Sequence, residues 1–172
     1  MNLKFYLEKL HNSKEFKEFK KENPKSFPCS GFFVFDKEKG DNKFHFDYYV
    51  PGVDKLFSFK LEKGVEKTPV ERYDKKKLSE ISLDFDLDFK EIEQMIVDQM
   101  EKEGIKKQIQ KIIFSLQKLR GKSFLVGTIF IAGLGMIRVN IDLKKKVIVL
   151  FEKKSFFDLM KITRRKKNKK GK

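Results

Sequence analysis

DFKEIEQMIVDQMEKEG (residues 88–104) followed by IQKIIFSLQKLRGKSFLVGTIFIAGLGMIRVNIDLKKKVIVLFE (residues 109–152) is the stretch on which the fold turns. In its first part Phe89, Ile92, Ile96 and Met100 recur at i, i+3, i+7 and i+11, the apolar stripe of a helix lying on a sheet. Asp88 and Glu91 have the spacing of a capping box ahead of that stripe, and Gly104 is placed to end it. In the second part the period changes to two. Ile137, Val139 and Ile141 alternate with Arg138, Asn140 and Asp142, which describes a strand with one buried and one wet face. Strands are predicted over 109–119, 122–132, 135–143 and 146–152. Their connections, Arg120-Gly121, Gly133-Leu134 and Lys144-Lys145, are too short for a crossover, so neighbouring strands must run antiparallel.

The same order, helix then strands, recurs in weaker form towards the N-terminus. Leu3, Tyr6, Leu7 and Leu10 have helical spacing; Asn12, three residues before Glu15, restarts a helix through Phe16 and Phe19, and Pro24 ends it. Residues 31–35 are rich in β-formers, 36–42 form a charged loop, and 44–50 alternate with Phe44, Phe46, Tyr48 and Val50 inward. Pro51-Gly52 fits the centre of a type II turn, returning the chain along 55–61. Residues 62–79 are charged and poor in apolar side chains, and Thr68-Pro69 breaks any regular element, so they read as a connector. A short helix is expected over 155–162 through Phe156, Leu159 and Met160, and the last ten residues have nothing apolar to bury. The fold class is therefore α+β: one helix-then-antiparallel-meander unit over 1–78, a second over 79–162, and a disordered basic tail over 163–172.

The chain is long enough to bury a core without stapling, and its one cysteine, Cys29, cannot form an internal disulfide. With no basic-then-apolar leader at Met1, the expectation is a cytoplasmic protein. The longest apolar stretch, 124–137, is too short for a membrane helix and carries glycines, so an integral membrane protein is not expected; Lys122 and Arg138 bracket it as an interfacial segment would be bracketed. The formal charge of +15 points towards a polyanion, but from Lys161 onwards there are eight basic residues and no acid, which leaves +7 for residues 1–160. The cations are overwhelmingly lysine, whereas bidentate phosphate and base contacts favour arginine. An AT-rich genome yields much of this composition without selection for a polyanion.

Catalytic and metal chemistry finds no constellation. His11, His45 and Cys29 lie in different elements without ligand spacing. Asp84, Asp86 and Asp88 alternate with Leu83, Phe85, Leu87 and Phe89, a solvated strand leading into a helix cap rather than a calcium loop, which would carry a glycine and a terminal glutamate. Gly133-Leu134-Gly135 precedes a strand and not a helix, so it reads as a hairpin turn and not a dinucleotide loop. The run from Arg120 to Leu125 partly echoes an RNA-recognition strand, but Lys122 and Gly127 stand where stacking aromatics belong. The nineteen phenylalanines mostly fall at inward positions, as a core without tryptophan requires.

The order helix, Asn23-Pro24, aromatic strand, Asp47-Tyr48-Tyr49-Val50-Pro51, Asp54-Lys55, Phe57-Ser58-Phe59, then the Asp88 helix and a closing meander, resembles uncharacterised archaeal proteins of the PepSY-like group; related architectures occur in β-lactamase-inhibitor-like proteins. The resemblance covers most of residues 14–152. It implies duplicated helix-plus-antiparallel-sheet units, no enzymatic activity, no cofactor, and in some relatives the binding or inhibition of other proteins. No family site carries over residue by residue. The expected function is a non-enzymatic protein-interaction or regulatory module that meets a protein partner on the polar sheet face around Arg138 and Asn140. The alternative is a nucleic-acid-associated accessory protein, anchored to RNA, DNA or anionic lipid by Arg164, Arg165, Lys166, Lys167, Lys169 and Lys170. A solubilising terminus explains those six residues equally well.

Overall fold

The structure is a computed structural model and describes residues 2–72 and 77–155. In chain order its elements are α1 (Leu3–Asn12), α2 (Lys14–Glu22), β1 (Phe27–Asp36), β2 (Lys43–Val50), β3 (Lys55–Lys60), β4 (Glu66–Val70), α3 (Phe89–Lys102), β5 (Ile109–Leu119), β6 (Lys122–Ile131), β7 (Gly135–Asp142) and β8 (Val147–Ser155). All eight strands join one antiparallel sheet in the order β4-β3-β2-β1-β5-β6-β7-β8. Among the described residues the fold is thus mixed, with three helices and a predominant sheet. Two meanders run outward from a central β1–β5 pair, in which Gly31 to Asp36 face Leu116 to Lys111.

The helices form where their stripes and caps call for them. Tyr6 and Leu10 of α1 and Phe16 and Phe19 of α2 are buried; in α3 the buried residues are Phe89, Ile92, Ile96 and Met100, the stripe legible in the sequence. Asp88 caps α3 by accepting the Lys90 N–H at 2.7 Å, and that bond holds its carboxyl below the ordinary carboxylate value. Gly104, at φ +67°, turns the chain out of the helix.

All three helices pack on the same side of the sheet. Tyr6 stacks on Phe44 with ring centroids 4.2 Å apart, Phe16 meets Tyr48 and Phe59 edge-on, and Phe89 lies 4.8 Å from Phe33 and 5.1 Å from Phe35. One continuous core therefore spans β1 and β5, with Phe33, Phe46, Phe59 and Phe114 fully buried in it. Each such ring stabilises the fold by roughly 1.5–3 kcal/mol relative to exposure.

Several expectations need correction. The connector 62–79 contains a strand, β4, in which Pro69 is tolerated because it lies on a sheet edge, where one side of the backbone needs no N–H donor. The cap that restarts the N-terminal helix is Ser13 and not Asn12, since the Ser13 hydroxyl accepts the Phe16 N–H at 3.2 Å. At the β2–β3 turn the positive φ falls on Asp54 (50°) and not on Gly52, because the loop takes four residues. Residues 81–87 belong to no strand, and the Phe85 N–H turns back to the Leu83 carbonyl at 3.0 Å; an isolated bridge from Asp88 to Asn2 and the bond from the Ile81 N–H to the Pro28 carbonyl tie this stretch down. The strand predicted over 146–152 continues to Ser155. The helix expected to follow it and the tail from 163 lie outside the described residues.

Candidate functional site

Because the helices share one side, the other face of the sheet carries no helix among the described residues. Strand pairing lines up side chains across it. One row crosses all eight strands as Leu150, Asn140, Val126, Ser115, Phe32, His45, Lys60 and Glu66; its neighbour runs Glu152, Arg138, Thr128, Ile113, Val34 and Lys43. Arg138 and Asn140, the two residues predicted for this face, stand in adjacent rows on β7, both on the open side. Arg138 is about half exposed and its guanidinium lies 3.8 Å from the Glu152 carboxylate, which also meets the Lys154 ammonium at 3.6 Å. Asn140 is half-buried between Val126 and Leu150. The other predicted set, Arg164, Arg165, Lys166, Lys167, Lys169 and Lys170, lies outside the described residues.

In its own row Arg138 is flanked by the polar Glu152 and Thr128, while the half-buried Ile113, Val126, Met136 and Leu150 supply apolar surface nearby on the same face. Aromatic, methionine and arginine side chains with few free charges are the composition of protein interfaces. Further along the row the Phe32 and His45 rings stack at 4.9 Å and 21°, forming the floor of a hollow of about 420 Å³ bounded by Lys43, Lys60, Glu62 and Glu66. The sequence signalled none of this pair. Each residue is assignable to a wet face by alternation, but only the β1–β2 register makes them neighbours.

The buried charge on this face is structural. The Asp36 carboxylate accepts from the Lys111 ammonium at 2.9 Å and from the Lys39 and Glu38 N–H groups at 2.9 and 3.1 Å. The Lys111 ammonium, and then the Lys39 N–H, hold the Asp36 carboxyl below its usual range, and the same pairing raises Lys111. Asp142 similarly closes the β7–β8 turn by accepting the Lys144 and Lys145 N–H groups, each at 3.0 Å.

His11, His45 and Cys29 stand apart on α1, β2 and β1. Burial, helped by the Asp47 carboxylate, pushes the Cys29 thiol up to about 12, far from a nucleophile's range. No group of three metal-ligating side chains occurs among the described residues. Arg120 and Gly121, at φ 49° and 80°, make the β5–β6 turn, and Gly133 and Leu134, at 79° and 58°, belong to the β6–β7 turn. A groove of about 760 Å³ lies beside the end of α3, lined by Val97, Met100, Ile105 and Ile109 and by the Lys37–Glu93 ion pair at 2.7 Å.

No model of a known protein family matches the chain, and no curated protein matches it. Among solved structures, a protein described as a "putative lipoprotein" from Clostridium difficile 630 superposes with a TM-score of 0.57 at 13% identity, over 81% of this chain and 90% of that one. At that identity the likeness concerns the fold alone. Among the described residues no helix is long and apolar enough to cross a membrane.

Proposed function

We propose that the chain is a non-enzymatic protein-interaction module of PepSY-like type, which receives a protein partner on the open face of its sheet around Arg138 and Asn140. The observation that carries this reading is the pair of rows crossing the helix-free face, where a half-exposed arginine and an asparagine are set among Ile113, Val126 and Leu150, with Met136 in the next row. The outward order of the strands from β1 and β5 supports reading 1–78 and 79–162 as two helix-then-meander units placed back to back. A photo-crosslinking residue in place of Asn140 in the full chain tests it. A discrete adduct should form in cells and vanish when Arg138→Glu is added; equal adducts from an exposed helix position such as Lys17, surviving that substitution, would sink it.

A second reading, attachment to RNA, is favoured by the eight cations after residue 160. Deleting residues 163–172 should then remove RNA binding together with its salt dependence, and unchanged binding would exclude it.

A further inference from the structure

The two edges of the sheet are built differently. β4 is five residues long, contains Pro69 and exposes Glu66 and Lys67, so it offers little to another strand. β8 is nine residues long, has no proline, and begins Val147-Ile148-Val149-Leu150-Phe151 with Val147 43% and Val149 53% exposed. Its outer side pairs with no strand among the described residues. Asn140 pairs with Leu150 and Ile141 with Ile148, so Val149 is a bulged residue and the straight part of the edge is 150–155.

Charge decides what can lie there. Lys144, Lys145 and Lys146 precede the strand and Lys153 and Lys154 close it. The Glu152 carboxylate faces Arg138 and Lys154, and Lys146 lies 3.9 Å from Asp86; Lys144, Lys145 and Lys153 make no ion pair among the described residues. A second copy paired antiparallel about Leu150 would bring Lys146 of one copy opposite Lys154 of the other and Val147 opposite Lys153; paired about Phe151 it would set Val149 opposite Lys153, Ile148 opposite Lys154 and Leu150 opposite Glu152, each apolar residue against a charge. A parallel pairing would set each lysine beside its equivalent, and like charges directly opposite are destabilising. Head-to-tail addition to β4 would meet Pro69. A foreign strand with an apolar centre and acidic ends has none of these faults.

We propose that the β8 edge accepts, by strand addition, an extended segment of another protein whose apolar centre is flanked by carboxylates. This uses the edge and not the open face, so it stands or falls apart from the reading above. The probe is the blocked peptide Asp-Glu-Val-Thr-Val-Thr-Val-Glu-Asp added to the full chain, with amide hydrogen exchange read residue by residue. Exchange within 147–155 should slow by about tenfold or more. The same peptide N-methylated at alternate amides, or with lysines for its acids, should bind at least about tenfold more weakly. Lys145→Glu with Lys153→Glu should reverse the preference between the acidic and lysine-flanked peptides. Equal binding of the N-methylated peptide, protection confined to β6 and β7, or no slowing in β8 would each overturn the proposal. So would concentration-dependent protection of β8 without peptide, which would make a second copy the occupant.

Discussion

A methyl group built on Gly127 would stand 2.6 Å from Val139 Cγ2 and 2.9 Å from Phe114 Cε1, and both of those side chains are completely buried. Gly127 is thus the place where β6 lets the β5 ring and the β7 valine close over it. Alanine gains a little over glycine in a strand, roughly 0.5–1 kcal/mol, but here the clash outweighs that gain. Gly127→Ala should lose about 1–3 kcal/mol net in denaturant melts. At Asp36 the sign is set by titration. Its folded-state pKa lies below the ordinary 3.8 because the carboxylate is held by Lys111, so its contribution is complete above that value and is lost as the pH falls through the folded pKa. Asp36→Asn should therefore lower the melting temperature at neutral pH, and the gap to the parent chain should close as the pH drops through and below the carboxylate range. A gap that stays constant with pH would show that the ion pair is not its source.

At the scale of elements, Ser13 does two jobs between α1 and α2. Its hydroxyl donates to the Leu10 carbonyl at 2.8 Å and accepts the Phe16 N–H at 3.2 Å, finishing one helix and starting the next. Ser13→Ala should cost about 1 kcal/mol, and Ser13→Asn, which keeps an N-cap acceptor, should recover part of it in the same melts. This cap also shows what the sequence could and could not tell. Asn12 and Ser13 are both good capping residues, and only the phase of Phe16 and Phe19 against the sheet selects Ser13. The stripe of α3 and the alternation of β7 were legible because one periodicity ran without interruption. β4 was not, because Thr68-Pro69 is a breaker everywhere except on an edge, and nothing local says where an edge will be. Arg138 and Asn140 could be placed on a wet face by parity alone. The neighbours that give them chemical character, Val126, Thr128, Leu150 and Glu152, come from register, which pairs residues distant in the chain.

At the scale of the whole molecule, the question is whether residues on either side of the charged connector fold together. The β1–β5 pair and the contacts of Phe89 with Phe33, Phe35 and Phe114 place both meanders on one core. Separating them would expose the β1 and β5 edges and unpack Phe33 and Phe114, each ring worth roughly 1.5–3 kcal/mol of burial. Net stabilities of natural domains are only about 5–15 kcal/mol, so neither half is expected to survive the loss of the other. The sequence supplies the probe. The four tyrosines, Tyr6, Tyr48, Tyr49 and Tyr73, all precede residue 79, and there is no tryptophan, so intrinsic fluorescence reports the first half alone. Far-UV circular dichroism reports both. In a urea titration the two signals should trace one coincident transition with the same midpoint and slope. A fluorescence transition displaced from the dichroism transition would mean that one meander unfolds while the other persists, so that the β1–β5 pair does not hold them as one cooperative unit.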